Sequence, residues 1–167
     1  VAILPIVCHP NEMLEKSCER VTLFDEALGS LLNDMYETMI AADGVGLAAP
    51  QIGVGQQIAI VDIGEEYGDE YIELINPVIV QASGSETDIE GCLSMPGLYG
   101  KVPRHRIVVV KAMDRHGQVF SIKAEGFLAR ALQHEIDHLQ GILFTTKVTE
   151  YVTESELATL EGSELND

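Results

Sequence analysis

His134, Glu135 and His138 stand in the string His-Glu-Ile-Asp-His, with the two imidazoles four residues apart and an acid beside the first. On an α-helix that spacing brings both rings to one face, where they can grip a single metal ion. The glutamate is then left free to handle protons for a water on that ion. The chemistry this predicts is amide hydrolysis. A string this short also arises by chance on solvated helix faces, so its surroundings decide. Phe127, Leu128, Ala131, Leu132, Ile136 and Leu139 recur around it at helical spacing, and Gly126 and Gly141 bracket it as start and stop signals. Imidazoles on so apolar a helix are costly to bury without a partner, and a metal removes that cost.

A catalytic site of this kind needs a third protein ligand and an open position for water. One source is a glutamate from a later helix, for which Glu154, Glu156 and Glu161 are candidates, although in a tail that is acidic throughout a glutamate carries little information. The other is Cys92 in Glu90-Gly91-Cys92-Leu93-Ser94, a soft thiolate in a glycine-flanked turn where backbone can pass close to an ion. Cys8 and Cys18 read as small buried hydrophobes.

Three segments in this order, Gly44-Val45-Gly46-Leu47-Ala48-Ala49-Pro50-Gln51, Glu90-Gly91-Cys92-Leu93-Ser94 and Gln133-His134-Glu135-Ile136-Asp137-His138, resemble the signature motifs of peptide deformylases. The resemblance runs from the Ile3-Leu4-Pro5 and His9-Pro10 region to about Val148. It implies that Cys92, His134 and His138 hold one divalent metal ion and that Glu135 is the general base and acid. It also implies that the Gln51 amide and the Leu93 backbone N–H stabilise the oxyanion. The substrate would be a formyl-methionyl peptide, and the products formate and a free amino terminus. Family members typically work with Fe2+ and also accept Zn2+; a Cys-His-His set suits Ni2+ or Co2+ as well.

The supporting residues have duller readings. Gln51 caps a turn unless its amide points at the metal. Gly46 bonds substrate through its backbone in the family, and Gly44 is structural. Val45, Phe127 and Ala131 are the expected walls of a tight formyl site and an adjoining methionine pocket, while Arg130 beside them is expected to turn outward. Glu90 and Arg104 form either a buried pair that positions the Cys92 turn or an ordinary surface ion pair worth little. His9, His105 and His116 lack partner spacing and read as loop or surface residues.

These residues must be carried by elements. Helical periodicity covers Asp25 to Ala42 and Glu125 to Gln140, with a weaker pattern over Thr153 to Glu161. Strand-like runs cover Ile58 to Ile63, Tyr71 to Ile75, Val78 to Gln81, Ile107 to Met113 and Val119 to Lys123, the last two joined by a hairpin turn at Asp114-Arg115-His116-Gly117. Strands between two main helices predict an α+β fold, antiparallel strands packed around a central metal-binding helix. The 167 residues fit one domain: residues 1–149 form a single catalytic unit and 150–167 an acidic carboxy-terminal helix or tail. Gly44, Gly46 and Ala49 also satisfy a loose dinucleotide-binding fingerprint, but that fingerprint follows a strand and opens a helix, whereas here a helix precedes it and a strand follows.

The formal charge of −17, with only 10 lysines and arginines, speaks against direct nucleic-acid binding. The acidic clusters Glu65-Glu66, Asp69-Glu70 and Glu150 to Asp167 read as solvating. Because the tail contains no basic residue, any transient ribosome association would not run through it. No stretch reaches the roughly 18 apolar residues of a membrane span. Three cysteines without framework spacing point to a reducing compartment: the cytoplasm, or an organellar stroma or matrix if a targeting segment is removed before Val1. Two other functions compete with the deformylase reading. A general His-Glu-x-x-His metallopeptidase would take a downstream glutamate in place of Cys92. A non-catalytic, metal-stabilised binding domain would have a closed coordination shell.

Overall fold

Helix α2 (Gly126–Leu139) is the element around which the rest of the chain is arranged, and every residue from Ala129 to Leu139 is buried. The structure is a computed structural model that describes residues 2–64 and 71–159. In chain order its elements are α1 (Glu26–Ala41), β1 (Gly46–Ala48), β2 (Ile58–Val61), β3 (Ile72–Ser83), β4 (Glu86–Cys92), β5 (Met95–Arg104), β6 (Ile107–Met113), β7 (Val119–Glu125), α2 and β8 (Glu150–Val152). The strands form two sheets, ordered β1-β2-β3-β6-β7 and β4-β5-β8, with antiparallel pairing between all neighbours. The α+β architecture with a metal-motif helix against antiparallel strands is thus the observed one.

The five-stranded sheet lies between the two helices, and β2 shows why. Successive strand side chains point to opposite faces: Ala59 and Val61 join Leu132, Ile136 and Leu139 of α2, while Ile58 and Ile60 join Leu28, Leu32, Met35 and Met39 of α1. A strand covered on both faces is apolar throughout, which is how Ile58 to Val61 reads. Helix α1 starts where the Asp25 carboxylate accepts from Leu28 N at 3.0 Å. It stops where Asp43 turns left-handed (φ 59°) and Gly44 N donates to Met39 O. Helix α2 stops at Gly141 (φ 76°), where an added Cβ would lie 2.6 Å from Glu15 O, so the amino-terminal segment crosses in contact with its end.

The three-stranded sheet is absent from the elements expected above. Its apolar residues, Met95 and Val102, pack with Leu14, Leu143 and Phe144 in a third cluster. The runs at Tyr71–Ile75 and Val78–Gln81 are one strand, β3, whose pairing with β6 shifts register between Ile75 and Val78 and again between Ile79 and Gln81. Asn76-Pro77 reads as a break but makes an irregularity instead. Asn76 is buried at φ 52°; its amide accepts from Val21 N at 2.8 Å and donates to Val21 O at 2.9 Å. Asn76→Ala would strand both buried Val21 groups, and we expect it to lower unfolding free energy by about 2 kcal/mol. Urea unfolding with an unchanged midpoint would contradict this.

Residues 154–159 are helical, within the expected Thr153–Glu161 segment. Glu161, the remainder of the tail and the Glu65-Glu66 and Asp69-Glu70 clusters lie outside the described residues. Cys18 is buried as expected, whereas Cys8 is exposed, in the turn that opens at His9-Pro10. His9, His105 and His116 are exposed. No helix among the described residues is long and apolar enough to cross a membrane.

Candidate active site and metal centre

Three segments, α2 among them, meet at one place. The first, β1 and the turn Ala49–Ile52 that follows it, carries Gly46 and Gln51; the second, the two-residue turn between β4 and β5, carries Leu93 with Cys92 at its edge; α2 carries His134, Glu135 and His138. One ligand atom from each of Cys92, His134 and His138 lies within 4.8 Å of the others, with Cys92 Sγ 3.3 Å from His138 Nε2. An ion bound at zinc-type lengths separates its ligand atoms by roughly 3.3–3.6 Å, so the cluster is already close to the size of one coordination shell. Of the downstream glutamates, Glu154 and Glu156 are outside this cluster: both are exposed, with Glu154 against Gly97.

The electrostatics of the cluster ask for a cation. Burial disfavours a charged His134, yet hydrogen bonds with Cys92 and Glu90 outweigh it and push the ring up to about 10. Burial, reinforced by His134 and Arg104, pushes His138 down to about 3 and keeps one ring-nitrogen lone pair available. The same pocket that draws a proton to His134 suits a metal ion. His134 Nδ1 donates to Glu90 Oε1 at 2.8 Å, which leaves Nε2 as the ring nitrogen that could meet an ion. Glu135 Oε1 and His138 Nδ1 are buried and have no hydrogen-bond partner among the described residues. Burial raises Glu135 to about 7, and a neighbouring cation would draw that value back down.

Glu135 is tightly enclosed. A Cβ added to Gly46 would collide with its carboxylate, coming within 2.8 Å of Cδ, so only glycine fits there. Gly44 is shaped by packing too, since a Cβ would lie 2.7 Å from Leu93 Cδ1. Gln51 is 1% exposed and does two things. Its Oε1 accepts from Ala48 N at 2.9 Å, which caps the turn, while Nε2 donates to Ser94 Oγ at 3.1 Å and lies 3.6 Å from Cys92 Sγ. The cap therefore aims the amide at the cluster.

A cavity of about 430 Å³ opens onto Cys92, His134 and Glu135, and Val45, Phe127 and Ala131 line it. Val45 and Phe127 are exposed and Ala131 is buried. Helix order also settles the glycine loop: α1 precedes it and strands follow, the reverse of a dinucleotide fold.

Glu90 and Arg104 form a buried pair. Arg104 Nε and NH2 donate to the two Glu90 oxygens at 2.8 and 2.9 Å, and its NH1 donates to Asp137 Oδ2 at 2.5 Å. Lys147 extends the row to the surface through Asp137 at 2.8 Å. Burial opposes charge on Glu90, but Arg104 and His134 hold its carboxyl well below the usual range. Arg130 does not turn outward. It is 6% exposed and donates to Glu90 Oε2 at 2.7 Å, because the β4–β5 hairpin covers that side of α2 with acceptors. Arg130, His134 and His138 recur at four-residue spacing, a sequence signal that puts the arginine on the histidine face and that the outward expectation overlooked.

A thiol and two imidazoles converging beside a buried carboxylate at the floor of an open cavity are the parts of a metal-dependent amide hydrolase. The family model for polypeptide deformylase matches residues 3–154. Peptide deformylase 1 of Bacillus anthracis is 60% identical over 157 residues, 94% of this chain and 99% of that one; peptide deformylase 1 of Bacillus subtilis is 54% identical over 162 residues, 97% and 100%. The crystal structure of a peptide deformylase from Legionella pneumophila superposes with a TM-score of 0.84 at 42% identity, covering 99% of each chain. The chain belongs to the polypeptide deformylase family, divalent-metal hydrolases that remove the amino-terminal formyl group from nascent formyl-methionyl peptides.

Proposed function

We propose that Cys92, His134 and His138 are the protein ligands of the metal, with Fe2+ the ion in the cell and Zn2+, Ni2+ or Co2+ able to replace it. The observation that carries this reading is the convergence of one sulfur and two ring nitrogens within 4.8 Å. When bound, the ion supplies Lewis acidity that polarises a carbonyl and acidifies water. Glu135 takes the proton from the attacking water and returns it to the departing amine. Gln51 Nε2 and the Leu93 N–H donate to the oxyanion, the amide held in place beforehand by its bond to Ala48. Gly46 offers its backbone to the peptide; Val45, Phe127 and Ala131 shape the formyl and methionine sites, which exclude larger acyl groups. Glu90 and Arg104 position His134 and the Cys92 turn.

Residues 1–149 are proposed as the catalytic unit and 150–167 as an accessory tail, although Glu150–Val152 pairs with β5. We place the reaction in the cytoplasm, where peptides are made, without membrane or direct nucleic-acid binding, and any brief ribosome contact away from the tail. Cys92→Ala tests the ligand set: protein purified without oxygen should lose most of its metal and its release of formate from a formyl-Met peptide. Full metal content and internal peptide cleavage in that variant would instead favour a general peptidase using a downstream glutamate.

A further inference from the structure

Arg130 has a place in the molecule that deformylation does not itself explain. Its NH1 donates to Glu90 Oε2 at 2.7 Å and to Val102 O at 2.8 Å, and its NH2 donates to Glu86 O at 2.7 Å. Glu86 and Val102 lie on β4 and β5, toward the open end of the hairpin whose closed end carries Cys92. Arg130 itself is one turn before His134 and is the only lysine or arginine of α2. One guanidinium thus fastens both strands bearing the sulfur to the helix bearing the two imidazoles. It also adds a fourth donor to the carboxylate that orients His134, beside two from Arg104 and one from His134.

We propose that Arg130 is a positioning residue of the metal centre, holding Cys92 in register with His134 and His138 through Glu90 and the two strand carbonyls. The inference rests on the reading of those three residues as ligands. Arg104 also reaches α2, through Asp137, but its bonds go to Glu90 and Asp137, so it does not replace the Arg130 bonds to the Glu86 and Val102 carbonyls. Arg130 also lines the cavity, but three of its N–H groups, two on NH1 and one on NH2, are bonded to Glu90, Val102 and Glu86, which turns the guanidinium toward the hairpin. A lysine at 130 keeps the charge but replaces the two terminal nitrogens that share these three acceptors with one.

The test uses the full chain loaded with Co2+, comparing native protein with Arg130→Met and Arg130→Lys. Its readouts are the thiolate-to-cobalt absorption band, the rate of metal loss to excess chelator, and KM and kcat for a formyl-Met peptide. Arg130→Met should lose metal about ten to a hundred times faster, with a shifted band, and Arg130→Lys should fall between it and native. Should Arg130→Met not fold, Arg130→Lys alone decides by the same readouts. Native release rates and an unshifted band in folded variants overturn the proposal, even if their melting temperature drops, since that is a purely structural role. A raised KM with unchanged release and spectrum also overturns it, by making Arg130 a substrate contact. A native protein lacking the thiolate band removes the ligand reading itself, a result distinct from unchanged variants on a normal native spectrum.

Discussion

Glu135→Gln should leave one metal per chain and lower kcat for formate release at least ~10²-fold, the loss expected when a positioned general base is removed. Glutamine has the shape of glutamate, which matters because Gly46 leaves no spare room around this side chain. It cannot accept the proton of the attacking water or return one to the amine. The sulfur of Cys92 and the ring nitrogens of His134 and His138, the proposed ligands, are untouched, and KM should change little because the cavity walls are the same. Parallel metal analysis and steady-state kinetics check both halves. Activity within severalfold of native would place the proton transfer elsewhere. Metal loss together with activity would mean that the carboxylate serves the ion rather than the water. A metal-stabilised binding domain would show no turnover in the native protein to lose.

The metal motif was legible because its chemistry is local: two imidazoles at helical spacing declare their face before any fold is known. Cys92 needed more, since a lone cysteine is ambiguous until the segments around Gln51 and His134 are read with it. Strand β6 was read with its observed limits because Ile107 to Met113 is apolar but for Lys111 and buries alternate residues, Val108, Val110 and Ala112. Strands β4 and β5 were invisible for the opposite reason. Glu86 to Cys92 is largely polar, and Met95 to Arg104 contains two prolines and two glycines, so neither shows strand alternation. That hairpin is held by long-range partners, Arg104 to Glu90 and Asp137 and Arg130 to Glu86 and Val102. Sequence periodicity does not encode such pairs. The outward turn expected of Arg130 failed for the same reason: charge suggests solvent only until an opposing segment supplies acceptors.

Glu90→Gln should be the most destabilising single change in the charge network, costing about 3–5 kcal/mol, the range for removing one partner from a buried ion pair. Against a total of roughly 5–15 kcal/mol for a domain, that is a large fraction. Glu90 accepts from Arg104 twice, from Arg130 and from His134, all between 2.7 and 2.9 Å. The amide keeps one good acceptor and turns an N–H group toward two guanidinium groups that remain buried and charged. Denaturant unfolding of the metal-free protein measures the cost, and a loss below about 1 kcal/mol would show the network relaxing around the change. Stability alone does not explain why the protein keeps these charges, because well-packed apolar residues often replace a whole buried network without loss. His134 supplies the reason. Its Nδ1 needs an acceptor that fixes the tautomer with Nε2 toward the ion, and Glu90 needs cations to stay ionised where burial opposes it. An apolar replacement of Glu90, Arg104 and Arg130 together should therefore recover much of the folding energy that Glu90→Gln loses and still release metal faster than native. If that triple variant held its metal as the native protein does, the charges would be serving the fold and not the site.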